Sequence, residues 1–247
     1  MEIKSNPTQD GFKDAPFFNP NLSVVIGGLG GIGSNVSYNL CRQNYEMFLY
    51  DFDSIEIHNL GSQMYSHSDI GKLKAEVAKE VAIKYGNTNN IHLLGRFEEE
   101  SMIDNCVFSC FDNMSARKLM FKSWKEFQLS KSAEYRKENP NEVNIFLDGR
   151  MYSEGFQIFA VRSTKQIEAY EKTLFDDSEA SVLPCSYKAT CHTGTMIGSL
   201  MTTMFLNQVV NKKEGFEMRE VPFYVQYDNA LMIYQKMNVN EYIQTKG

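Results

Sequence analysis

Three glycines, two aspartates and a lysine carry the chemistry most visible in this chain. Gly28, Gly30 and Gly33 form a GxGxxG run between the apolar stretch Leu22–Ile26 and a helical pattern from Ser34 to about Gln43. Glycine at the first position permits a tight turn. At the second it lets a phosphate approach the backbone, and at the third it lets the helix pack closely on the strand. The helix amino end then offers free N–H groups and a positive dipole end to an anion. Asp51 lies 23 residues after Gly28, at the end of a second strand pattern, Phe48–Tyr50. There its carboxylate can accept hydrogen bonds from ribose hydroxyls. Lys74 follows in Gly71-Lys72-Leu73-Lys74, and Asp112 closes a further apolar stretch, Cys106–Cys110. A lysine and an aspartate at the carboxyl edge of one sheet suit a triphosphate. The ammonium neutralises phosphate oxygens, and the carboxylate can hold Mg2+ directly or through its waters.

The elements that must position these residues alternate between strand and helix. After the first two strands, Asp69 to about Tyr85 reads as a helix, Ile91–Leu94 as a third strand and Cys106–Cys110 as a fourth. Strand and helix in alternation imply a parallel sheet with helices on its faces. Met114 to about Lys131 is helical, Glu142–Asp148 is a strand, and Gly155–Val161 follows closely enough for an antiparallel pair. Residues 163–190 read as a long irregular stretch, a feature that in a compact domain is usually functional or mobile. Thr193 to about Lys212 has apolar residues at helical spacing, and Val221–Gln226 with Leu231–Gln235 reads as a final hairpin. The expected class is α/β: a Rossmann-like, three-layer domain whose sheet is mostly parallel, with antiparallel late strands. Residues 1–20 are expected to form an extended arm and residues 21–247 one domain.

Composition narrows the function classes. The formal net charge is −6 and no basic block stands out, so binding to nucleic acid or to an anionic membrane surface is not expected. No stretch reaches 18 uncharged apolar residues, so no membrane span is expected, and residues 1–21 lack the apolar core of a signal peptide. Cys41, Cys106, Cys110, Cys185 and Cys191 are odd in number and contain no CxxC pair. Reduced thiols in a cytoplasmic compartment, with no zinc ribbon, are the expectation.

The ordered set of motifs resembles the ThiF/MoeB/HesA family, the adenylating fold of ubiquitin-activating and related enzymes. The family pattern runs GxGxxG, then D-x-D-x-[VI]-x-x-x-N-L-x-R-Q, then G-x-x-K, then a strand ending in D-N-x-x-x-R. The matching residues are Gly28, Gly30 and Gly33; Asp51, Asp53, Asn59, Leu60 and Gln63; Gly71 and Lys74; and Asp112, Asn113 and Arg117. Order and spacing agree over residues 22–117, and the resemblance implies that 21–117 is the ATP-binding half of a ThiF/MoeB-type domain. Residues 118–247 then form the second half, with 163–190 as its crossover loop. Leu147-Asp148-Gly149-Arg150 and the helix after Cys191 match more loosely. The resemblance implies that Asp51 binds ribose and that Lys74, Asn59 and Gln63 contact phosphates. It implies that Asp112 holds Mg2+, and that Arg117 supports the phosphate edge or orients Asp112. The implied cofactors are ATP and Mg2+. The implied reaction is adenylation of a carboxylate, usually the C-terminal glycine of a small β-grasp protein (ubiquitin-like or sulfur-carrier), in a homodimer.

Two departures qualify that expectation. The family's arginine in N-L-x-R-Q is Ser62 here, and no arginine-rich helix stands in residues 1–20. A hydroxyl does not replace a guanidinium at a phosphate site; Arg150 is the nearest candidate substitute. Ser62 therefore motivates a second reading, a nucleotide-binding partner subunit that has lost the chemistry. A third, an NAD(P)-dependent oxidoreductase, fits Asp51 but leaves Lys74 and Asp112 without a role. Some family members pass the acyl group to a cysteine thiolate. Cys185, with Lys188 nearby in the irregular stretch, is the first candidate for that transfer, and Cys191 beside His192 the second. Against both stands the plain alternative that a free cysteine is a small packing residue. Cys106 and Cys110 read as core. His58, His67, His92 and His192 read as surface or capping groups. The acidic stretch Glu168–Glu179 reads as either a solvated face or a screen for substrates.

Overall fold

In the computed structural model, residues 9–86, 88–179 and 190–246 are described. The first half alternates as the sequence implies. Strand β1 is Ser23–Gly27, helix α1 Gly33–Cys41, β2 Glu46–Tyr50, α2 Lys74–Gly86, β3 Ile91–Leu93, β4 Cys106–Ser109 and α3 Met114–Ser130. A short helix α4 (Ala133–Glu138) leads to β5 (Ile145–Tyr152) and β6 (Gly155–Val161). Then come α5 (Thr164–Glu171), α6 (Cys191–Val210), β7 (Tyr224–Asp228), β8 (Ile233–Met237) and α7 (Val239–Lys246).

The eight strands form one sheet in the order β3-β2-β1-β4-β5-β6-β7-β8. The pairs from β3 to β5 are parallel. The pairs from β5 to β8 are antiparallel. Alternation along the strands divides the core in two. Val24, Ile26, Phe108 and Leu147 face one side, where they pack with Leu40 of α1, Ala78 of α2 and Phe205 of α6. Val25, Val107 and Phe146 face the other, with Phe121 and Trp124 of α3 and Tyr170 of α5. This is the expected three-layer α/β arrangement. Strand β1 is the middle one of the five parallel strands, and the chain winds outward from it in both directions. In such sheets the crevice opens at the carboxyl ends of the strands, where the order reverses.

Three local differences from the sequence reading have physical causes. The 163–190 stretch is not wholly irregular: Thr164–Glu171 is helical, and it buries Ile167, Ala169 and Tyr170 on one face. Helix α2 starts at Lys74 rather than near Asp69. Asp69 instead closes a single 3-10 turn, where its carboxylate accepts the Ser66 N–H at 3.0 Å. Residues 9–21 fold back in turns instead of extending. Phe12 stacks its edge on Phe18, and the Phe18 carbonyl accepts from Lys213 Nζ at 2.8 Å.

Candidate functional site

The glycine elbow is built as its sequence demands, but its glycines have different reasons. Gly28 has φ +81°, and a Cβ there would meet the Cys110 carbonyl at 2.8 Å. At Gly33 a Cβ would lie 1.8 Å from the Gly28 carbonyl. Both are required by the fold. Around Gly30 the nearest atom to such a Cβ is Gln63 Nε2, at 3.9 Å. The space beside Gly30 is therefore open, and it opens into a cavity of about 930 Å³. Gly30, Gly31 and Ile32 form part of its wall, and α1 starts with no side-chain cap on its first amides.

Asp51, just past the end of β2, fixes the elbow from the next strand. Its Oδ2 accepts the Leu29 N–H at 2.6 Å, and its Oδ1 accepts the Asp53 N–H at 2.8 Å. Burial raises its pKa above the ordinary aspartate value, against the lowering effect of Lys74 and of the two amide donors. Tyr65, which no sequence motif singles out, donates its hydroxyl to the Leu29 carbonyl at 2.7 Å. Burial, reinforced by the charges of Asp51 and Asp69, holds that phenol in its protonated, donating form.

Lys74 reaches the cavity through a turn that its neighbours enforce. Gly71 takes φ +88°, a conformation that costs glycine little. The chain then runs back along Asp53–Ile55: the Ile55 N–H donates to the Lys72 carbonyl at 2.8 Å, and the Lys74 N–H to the Asp53 carbonyl at 3.0 Å. The buried Lys74 side chain extends to Asp53 Oδ2 at 2.8 Å. Asn59 is buried as well, but its Oδ1 caps a 3-10 turn by accepting the Glu56 N–H at 2.9 Å. Gln63 lines the cavity, and its Oε1 is buried with no hydrogen-bond partner.

On the opposite wall stand Asp112 and Asn113. Asp112 is exposed to the cavity, and its Oδ1 accepts from Asn113 Nδ2 at 3.2 Å. Asn113 Oδ1 caps α3 by accepting the Ala116 N–H at 2.8 Å. Arg117, one turn into α3, is buried at the cavity wall, and its guanidinium is already spent within the protein. Its guanidinium donates to the Phe111 carbonyl, to the Gly149 carbonyl at 2.8 Å and to the fully buried Asp148. It thus ties the ends of β4 and β5 together directly beside Asp112. Arg150 is spent in the same cluster. It donates from Nε to Asp148 at 2.7 Å and from Nη1 and Nη2 to the Thr173 carbonyl and hydroxyl at 3.1 and 3.0 Å. Its guanidinium also lies 4.6 Å from the centre of the Phe159 ring. Burial opposes the charge on Asp148, but the two guanidinium groups hold its pKa below the usual carboxylate range. Arg150 is therefore already fully engaged where Ser62 removes a cation.

Two further wall residues escaped the sequence reading. The guanidinium of Arg96, beyond β3, sits 3.6 Å over the ring of Phe52. Asp177, from the acidic stretch, occupies the amino end of α3. Both belong to the cavity lining. No local pattern announces either, because each contact joins segments far apart in the chain.

Among the cysteines, Cys41, Cys106 and Cys110 are buried. Burial pushes the Cys41 thiol up to about 11 and raises Cys106 and Cys110 further. That is the setting of packing residues. Cys191 is exposed as the first residue of α6. One turn later, a Cβ on Gly194 would lie 2.6 Å from the Gly31 carbonyl, so the start of α6 abuts the glycine elbow. Cys185 and Lys188 lie outside the described residues. Among the described residues, no cluster of three His, Cys, Asp or Glu side chains is placed to hold a metal.

Comparison with known proteins identifies the family and the fold. The model of the ThiF family matches residues 20–246. The chain belongs to the ThiF family. It is similar to the ubiquitin-like modifier-activating enzyme 5 of Dictyostelium discoideum, at 32% identity over 46% of this chain and 36% of that protein. The match thus spans little more than a third of that relative's length. Among solved structures, PaaA superposes with a TM-score of 0.62 at 14% identity, covering 94% of this chain and 69% of the other. Escherichia coli MccB with ATP superposes with a TM-score of 0.61 at 16% identity, covering 95% and 72%. At such identities the superpositions speak for the fold.

Proposed function

We propose that this ThiF-family chain is an adenylyltransferase that binds ATP in the cleft and activates a carboxylate on a small protein or peptide. The observation that carries the reading is the joint lining of one cavity by Gly30, Asp51, Lys74, Gln63 and Asp112. Asp51 would take the ribose hydroxyls, with Asp53 holding Lys74 in place. Lys74 and the Gln63 side-chain N–H would meet the phosphates, while the buried, unpaired Gln63 oxygen, an acceptor, calls for a donor there such as a hydroxyl or a water. Asn59 would act by shaping the turn before Gln63, since its side chain is already used as a cap.

The Asp112 carboxylate fits Mg2+, which takes one or two carboxylates together with substrate phosphates and water. Bound there, Mg2+ would neutralise charge on the phosphate oxygens. Arg117 would keep the backbone before Asp112 fixed, and Asn113 would orient its carboxylate. In the reaction a carboxylate oxygen bonds to the α-phosphorus, the bond to the pyrophosphate breaks, and an acyl adenylate remains. Transfer from that adenylate to Cys185, or to Cys191 at the start of α6, would form a thioester and release AMP. A β-grasp substrate, a homodimer and a cytoplasmic setting belong to the same reading.

The test is exchange of radiolabelled pyrophosphate into ATP with Mg2+ across a panel of glycine-terminated proteins and peptides. Exchange that Lys74→Ala and Asp112→Ala abolish supports the reading. Exchange that both variants retain defeats the assigned roles. A second reading, a nucleotide-binding subunit that needs a catalytic partner, is favoured by Ser62 together with the engaged guanidinium groups of Arg117 and Arg150. ATP binding without exchange, restored on adding a second subunit, would select it.

A further inference from the structure

The segment after α5 is fastened beside the cavity by contacts with two elements, β5 and α3. Arg150 of β5 holds Thr173 through two hydrogen bonds. Lys118 of α3 pairs with Asp176. Asp177 then places both carboxylate oxygens on the amino end of α3: Oδ1 accepts the Met114 N–H at 2.5 Å, and Oδ2 accepts the Ser115 N–H at 3.1 Å and the Ser115 hydroxyl. The Ser115 hydroxyl, the two amides and Lys118 together outweigh burial and hold the carboxyl below the usual range.

This contact is more than a helix cap. The helix already has one of its own, since Asn113 accepts the Ala116 N–H. Asp177 comes from 63 residues away and lines the same cavity as Asp112. Phe175, two residues earlier, lines it too. A fixed negative charge and an aromatic ring therefore line the same cavity as Lys74 and Asp112. The amides beneath Asp177 favour any anion, because they carry the positive end of the helix dipole.

We propose that residues 172–179 are an autoinhibitory strap over the nucleotide cleft, latched by Asp177 on the amino end of α3, which an entering anionic substrate must lift. The proposal rests on reading the cleft as the ATP site, and its test separates the two.

The variant is Asp177→Asn in the intact chain, an exposed position whose change leaves the core untouched. Hydrogen exchange without nucleotide reads the latch. Loss of a charge-assisted pair should speed exchange at Met114, at Ser115 and in 172–179 by about tenfold or more, while Met120–Trp124 inside α3 stays protected. Stopped-flow binding of a fluorescent methylanthraniloyl ATP with Mg2+ reads the gate. Association should be several-fold faster in the variant, whereas loss of an ordinary cap would leave it unchanged or slower. Unchanged exchange overturns the latch. Faster exchange with unchanged or slower association overturns the strap as a gate. If neither protein binds the analogue, the ATP reading of the cleft fails, and a strap over that ATP site fails with it.

Discussion

Replacing Asp148 by asparagine tests the part of the site that nothing but packing and charge holds together. Asp148 is fully buried between Arg117 and Arg150, whose side chains are only 7% and 15% exposed. Asparagine keeps the volume but leaves two guanidinium groups without their counter-charge. Breaking a buried pair by removing one partner costs about 3–5 kcal/mol. For a chain of this size each kcal/mol moves the melting temperature by roughly 2–4 °C, so Asp148→Asn should lower it by roughly 6–20 °C. Urea titration of wild type and variant measures the difference directly. The triple change Arg117→Met, Asp148→Leu, Arg150→Met should recover much of the loss, because no uncompensated charge stays behind. Acid adds a second signature. The folded-state pKa of Asp148 is depressed, so its stabilising contribution is present above the unfolded value near 3.9 and fades as pH falls through the folded one. The gap between wild type and Asp148→Asn should therefore hold at neutral pH and close in strong acid. A loss below about 1 kcal/mol at pH 7 would refute the claim that this cluster braces the strand ends beside Asp112.

Other outcomes follow from the same geometry. Gly33→Ala should fail to fold or melt far lower, since its Cβ would lie 1.8 Å from a carbonyl oxygen. Gly30→Ala should leave the melting temperature nearly unchanged, because the space beside it is open, yet weaken ATP binding by isothermal titration; equal affinity would show that no ligand passes there. Lys74→Ala removes a charged partner of the phosphates. It should raise the Kd for ATP by roughly ten- to a hundredfold, and an unchanged Kd would detach Lys74 from the nucleotide.

Much of this site was legible before any fold was known, because its signals are local. The glycine spacing fixes the β1–α1 elbow, and the position of Asp51 at a strand end fixes the second wall. The motif from Gly71 to Lys74 is legible in the same way: its turn brings Lys74 back to Asp53, only 21 residues away. The parallel-then-antiparallel sheet follows from the same alternation of elements. What stayed hidden depends on contacts between distant segments. Arg150 reads as a spare cation until its guanidinium is seen bonded to Asp148 and Thr173. The acidic run ending in Glu179 reads equally as a solvated face or a screen for substrates until Asp177 is found on α3. Helix α5 was missed because its buried stripe, Ile167 and Tyr170, is short and flanked by charged residues.

The central claim is that the cleft binds ATP with Mg2+, and calorimetric titration of the intact chain tests it most directly. Saturable binding of ATP–Mg2+ at one site per chain, lost in Asp51→Ala, with no heat from NAD, is the expected result. Binding of NAD with no response to ATP would contradict it, as would ATP binding that Asp51→Ala leaves intact.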